Sequence, residues 1–175
     1  MLRHELGAEA AWMGTRFIVA EESTAHPEYK DRVTAAHKAD AVLSTGVFAT
    51  AFPNASVRTR DNSTLRGWRD AGSPASGFRP GEGEAVARTS DGEAVIRYDT
   101  VPPVAGMTGD LEAMANYAGQ SAAVVVLRQP AVKIVRDVAA EADESSTRSV
   151  ADGLNPAGDD GPTRGGEASE DRPPD

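Results

Sequence analysis

The sequence predicts an α/β chain, and three observations carry that expectation. Glu9-Ala-Ala-Trp-Met13 is short and nearly continuous in apolar character, as a strand covered on both faces is, and Gly14-Thr15 breaks it. His26-Pro27 opens a helix whose Tyr29, Val33 and Ala36 share one face. From Pro130 onward, Ala131, Ile134, Val135, Val138, Ala139 and Ala142 recur at helical spacing, the clearest helix of the chain. With 175 residues there is enough chain for one domain with its own core.

In chain order, Leu2 to Leu6 followed by Gly7 reads as the last turns of a helix, so the pattern is an α/β unit without its beginning. Arg16 to Ala20 leads into a polar loop before the His26-Pro27 helix. Asp40 to Thr45 reads as a strand, Phe52-Pro-Asn-Ala55 as a turn, and the polar stretch through Arg58 and Arg60 to Asn62 as extended. Ser63 is placed to cap a short helix over Leu65 and Trp68. Residues 72–83 carry too many glycines and prolines for a regular element. Ala85 to Arg88 and Glu93 to Tyr98 flank Asp91-Gly92, a strong hairpin signal. Asp110 is expected to cap a helix from Leu111 to Tyr117. Val124-Val-Val-Leu127 reads as a strand by propensity, although its length is also compatible with a buried helix.

Composition narrows the classes. There is no cysteine, hence no disulfide framework, thiolate metal site or cysteine nucleophile. No window approaches the roughly 18 apolar residues of a membrane span, and Met1 to Glu5 lacks the apolar centre of a signal peptide, so a cytoplasmic location and no membrane partner are expected. The net charge of −9 disfavours nucleic acid as a partner. Residues 143–175 hold nine acids against three arginines, with Val150 and Leu154 as their only large aliphatics, and read as a disordered acidic tail.

Dinucleotide, Walker, nucleophile-elbow and zincin motifs are missing, and His26 and His37 lack a third metal ligand. One site survives. A buried strand ending in Gly14-Thr15 either makes an ordinary strand-to-loop turn or allows backbone amides to approach an anion while the threonine hydroxyl donates, as loops after parallel strands do with phosphate.

The segment Leu6-Gly-Ala-Glu-Ala-Ala-Trp-Met-Gly-Thr-Arg-Phe17 resembles the last barrel strand of nitronate monooxygenases, formerly called 2-nitropropane dioxygenases. His26-Pro-Glu-Tyr-Lys30, Asp40 to Thr45, Phe52 to Ala55 with Arg58, Asp61-Asn-Ser-Thr64, Tyr117-Ala-Gly-Gln-Ser121 and Pro130-Ala131 with Ile134-Val135 follow in family order, and the likeness covers residues 2–142. Arg79 to Gly83 and Arg97-Tyr98 resemble a branch with a longer insertion. The resemblance implies the C-terminal fragment of an FMN-binding TIM (β/α)8 barrel, with its last strand and helix in residues 1–45. A small α+β appended segment would follow in 46–142, and the acidic tail in 143–175.

It further implies oxidation of alkyl nitronates by molecular oxygen to a carbonyl compound and nitrite. The flavin phosphate would meet Trp12, Met13, Gly14 and Thr15, with Tyr117, Gly119 and Gln120 as further pocket residues. Ala122-Ala123 stands where a glycine commonly follows. A barrel takes roughly 200 residues, so this chain is expected to lack the first seven strands, and no residue is nominated as catalytic base. Flavin-dependent enoyl-acyl-carrier-protein reductases share the Gly-Thr-Arg-Phe and His-Pro-x-Tyr-Lys signatures and form the alternative. A third reading is a non-catalytic remnant that docks onto the missing barrel or associates with itself.

Overall fold

The computed structural model describes residues 13–35, 41–48 and 55–153. The expected helix end at Leu2 to Leu6, the strand from Glu9, most of the turn at Phe52 to Ala55, and residues 154–175 lie outside that range.

Gly14-Thr15 opens a helix, α1 (Gly14–Ile18), with Met13 as N-cap, rather than the loop expected there. Five residues gain little from helix propensity, and packing decides the outcome. Ile18 and Val19 join a cluster with Tyr29, Val33, Ala118, Ala122 and Val125. The helix at His26-Pro27 forms as expected, as α2 (Pro27–Thr34), and the His26 side chain accepts from the Glu28 amide.

β1 (Ala41–Thr45) and β2 (Ser56–Arg60) pair antiparallel from Ala41 opposite Arg60 to Thr45 opposite Ser56, which joins the segment before residue 45 to the one after it. Thr59 of β2 also bridges to Tyr117 on its other side. α3 (Ser63–Asp70) starts one residue earlier in cap than expected: Asn62, not Ser63, accepts the Leu65 amide at 2.9 Å. The expected hairpin is present as β3 (Ala85–Arg88) and β4 (Ala94–Ile96), turned at Gly92 with φ +88°. β5 (Thr108–Gly109) completes a three-stranded sheet in the order β4-β3-β5. Gly109 has φ +117°, and a Cβ there would fall 2.7 Å from the Val86 carbonyl, so only glycine lets β5 approach β3.

The helix expected over Leu111 to Tyr117 is not formed. Asp110 caps only one turn, accepting the Ala113 amide at 3.2 Å. The carbonyls a helix would use are claimed by side chains: Thr64 donates to Ala113 at 2.7 Å, Asn62 to Met114 at 2.8 Å, and Asn116 to Leu111 at 3.1 Å. Such side-chain bonds compete directly with helical hydrogen bonding.

Val124 to Leu127 is likewise not a strand. A 3-10 helix covers Gln120–Val124, and no strand among the described residues pairs with Val125 to Leu127. Strand propensity reports the fit to a pleated neighbour, and here there is none. α4 (Ala131–Gly153) runs past the boundary expected at residue 142, because neither glycine nor proline interrupts it before Gly153. Residues 143–153 are therefore helical instead of tail. Of the face expected to be buried, Ile134 is fully buried but Val135 is 56% exposed. No helix among the described residues is long and apolar enough to cross a membrane.

Candidate functional site

Two segments nominated separately from the sequence meet in the fold. The Gly119 amide donates to Thr15 Oγ1 at 3.0 Å, across 104 positions of chain. β2 steers the second segment there. The Arg60 amide donates to the Asn116 carbonyl at 2.8 Å and the Ala118 amide to the Arg58 carbonyl at 3.0 Å, so residues 116–118 run along the open edge of β2. The first segment is held from α4's side, where Arg16 donates to Gln129 Oε1 at 2.5 Å and the Glu22 carboxylate caps α4 by accepting the Ala131 amide at 2.8 Å. That bond from the Ala131 amide holds the Glu22 carboxyl below the ordinary carboxylate range.

The amide at Thr15 has a chemical consequence. A hydroxyl oxygen that accepts a hydrogen bond keeps its own proton free to donate. Gly14 is exposed, and no side chain caps α1. A Cβ on Gly119 would lie 3.5 Å from Thr15 Oγ1 and 3.7 Å from Ser121 Oγ, ordinary contacts, so the packing of this chain does not itself demand glycine there. Two hydroxyls thus flank Gly119. Ser121 closes the Tyr117 to Ser121 landmark without being one of its expected pocket residues; the only signal for it in the sequence is its place directly after Gln120.

The remaining nominees differ in setting. Met13 is partly buried and Gln120 is exposed at the start of the 3-10 helix. Tyr117 is partly buried against a cluster of Val47, Phe48, Leu65, Tyr98 and Ala115, and its hydroxyl donates to the Thr100 carbonyl at 2.9 Å. Burial, with the nearby Asp99 charge, raises its phenol above the usual tyrosine range. Trp12 lies outside the described residues.

A separate cleft of about 200 Å3 opens between α3 and the hairpin, lined by residues including Thr64, Gly81, Glu84, Arg97 and Tyr98. Some of its polar groups satisfy each other, since Arg97 donates to Thr64 Oγ1 at 3.1 Å and pairs with Glu84 at 3.3 Å, and the Tyr98 hydroxyl donates to the Pro80 carbonyl at 2.7 Å, whereas Ser63 Oγ and Arg97 Nε are buried with no partner among the described residues. None of the residues nominated from the sequence lines it.

The family model described as nitronate monooxygenase matches residues 2–141. No curated protein matches the chain. Among solved structures, a single-substitution mutant of FabK from Thermotoga maritima is similar at 25% identity and a TM-score of 0.50, covering 85% of this chain and 38% of that one. FabK from Thermotoga maritima is similar at 23% identity and a TM-score of 0.50, covering 85% and 41%. The chain thus spans about two fifths of the length of these structures.

Proposed function

Because the chain belongs to the nitronate monooxygenase family, a family of flavin-dependent oxidoreductases, we propose that it supplies the Thr15 and Gly119 part of an FMN site in an enzyme that oxidises alkyl nitronates with molecular oxygen to a carbonyl compound and nitrite. The observation that carries this reading is the Gly119 amide on Thr15 Oγ1, which unites both nominated segments. The donor set fits a phosphate: the Thr15 hydroxyl retains a free proton, Ser121 offers a second hydroxyl, and the exposed Gly14 leaves the approach open. FMN held there would supply the redox chemistry of the reaction. The residues of this chain hold and orient the cofactor; none is assigned as the base.

The exposed aliphatic residues Val124, Val126, Leu127, Val132 and Val135, each more than half exposed, follow directly after the Gly119-Gln120 segment. Large aliphatics exposed within one short stretch of chain are what a covering partner would bury. In this proposal the barrel body of the family covers them, and association of two copies is the competing outcome in solution.

The test is the visible spectrum of the purified chain after incubation with FMN and desalting. A retained, protein-perturbed flavin band, followed by nitrite release and oxygen uptake with an alkyl nitronate, supports the reading. A colourless protein contradicts it for this chain, and rapid flavin bleaching by NADH with turnover of an acyl thioester would favour the reductase chemistry.

A further inference from the structure

We propose that Tyr29 and Lys30, adjacent on α2, are positioning residues for the junction of Thr15 and Gly119, each holding one of the two segments that meet there. The functional weight of this rests on the reading of Thr15 as a phosphate contact. Tyr29 is 3% exposed and its hydroxyl donates to the Tyr117 carbonyl at 2.5 Å, two residues before Gly119. Lys30 is 8% exposed and its Nζ donates to the Ala20 carbonyl at 2.7 Å and the Glu21 carbonyl at 3.4 Å, in the chain that leaves α1. Consecutive helical residues point about 100° apart, so one turn of α2 reaches both segments at once.

The hydrogen bonding along the 116–118 segment explains why Tyr29 is needed. β2 takes the Asn116 carbonyl and the Ala118 amide, which leaves the Tyr117 carbonyl facing the other way. Tyr29 supplies the donor on that side. Burial raises the Tyr29 phenol above its usual range, so it stays protonated and able to donate. The Tyr29 ring also packs with Val19 and Ala118, one residue from each segment. Loss of the hydroxyl leaves a partly buried carbonyl without its donor, and the strand relaxes toward water at the position that places the Gly119 amide on Thr15. Thr15 then loses the bond that orients its hydroxyl proton outward. The His26-Pro-Glu-Tyr-Lys30 segment, a landmark with no assigned purpose in the sequence, thereby acquires one.

The experiment uses the full chain with Tyr29→Phe and, separately, Lys30→Met. Two readouts are taken: amide hydrogen exchange at Gly119 and at Leu65, and the affinities for FMN and for riboflavin, which lacks the phosphate. Losing one hydrogen bond of about 1–1.5 kcal/mol corresponds to about a tenfold change. Gly119 exchange is expected to quicken about that much in each variant with Leu65 unchanged, and FMN affinity to fall similarly with riboflavin affinity unchanged. If Gly119 exchange quickens but the parent chain binds FMN and riboflavin alike, the positioning role stands and the phosphate reading fails. If Gly119 exchange is unchanged in both variants, or if Leu65 quickens in step with it, the positioning role is overturned.

Discussion

The region from β2 through residue 116 and the region formed by residues 13–35 with 117–135 solve opposite problems. In the first, the buried side chains of Asn62 and Thr64 tie the start of α3 to the irregular chain at 110–116, Asn116 braces that chain from within, and two apolar clusters accompany them. In the second, one small cluster lies beneath hydrogen bonds that join segments far apart in sequence, while five large aliphatics face water. The first region is held by its own contacts; the second is organised around a junction and an open apolar face. Stability is expected to reside in the former and ligand contact in the latter.

Asn62→Ala sharpens this contrast most strongly. Asn62 is fully buried, caps α3 and also donates to the Met114 carbonyl at 2.8 Å. Its loss leaves the buried Leu65 amide without its cap and removes one of the two donors to the Met114 carbonyl, which Asn116 still serves at 2.7 Å, at a cost of about 1–3 kcal/mol. In thermal denaturation that is a fall in Tm of several degrees, roughly 2–4 °C per kcal/mol at this size. An unchanged Tm would break the comparison.

Thr59→Val should act in the other direction. Thr59 is fully buried and its hydroxyl has no hydrogen-bond partner among the described residues, although the residue bridges to Tyr117. Replacing an unsatisfied hydroxyl by a methyl of similar shape is expected to raise stability by about 1 kcal/mol, read as a higher urea midpoint at constant slope.

Glu82 gives a pH signature. Hydrogen bonds from Arg79 hold its carboxyl down to about 2, against an ordinary value of 4.5. A folded-state value below the unfolded one means the contribution is present above pH 4.5 and lost as pH falls from 4.5 toward 2. The Tm advantage of the parent chain over Glu82→Gln is therefore expected at neutral pH, a matter of about 2–4 °C, and to vanish across that acid window. An advantage that persists at pH 2 would contradict it. Smallest of all is Val126→Lys on the open face: the residue is 64% exposed, and its substitution should move stability by less than about 0.5 kcal/mol. A large loss would mean that this face is already covered.

Local signals were legible in the sequence and long-range ones were not. Asp91-Gly92 announced the hairpin because the positive φ of Gly92 is a local requirement. His26-Pro27 announced α2 for the same reason. Leu111 to Tyr117 misled because the competing donors, Asn62 and Thr64, lie about fifty residues upstream. Val124 to Leu127 misled because residue type encodes a wish for a pleated neighbour without supplying one. Thr15 and Gly119 were nominated one by one, through an anion-loop pattern and a family likeness, whereas their contact belongs to the fold. Tyr29 and Lys30 were visible only as a landmark, since a side chain that holds a distant backbone carbonyl leaves no spacing pattern of its own.

The central claim is that Thr15, with its proton freed by the Gly119 amide, meets the phosphate of the flavin. Its most direct test compares the dissociation constants of FMN and riboflavin for the parent chain and for Thr15→Val. A charge-assisted hydrogen bond of about 1.5–3 kcal/mol predicts that the parent chain prefers FMN by roughly tenfold or more and that Thr15→Val erases the preference, with riboflavin binding unchanged. Equal affinity of the parent chain for both flavins, or a preference that survives in Thr15→Val, would contradict the claim.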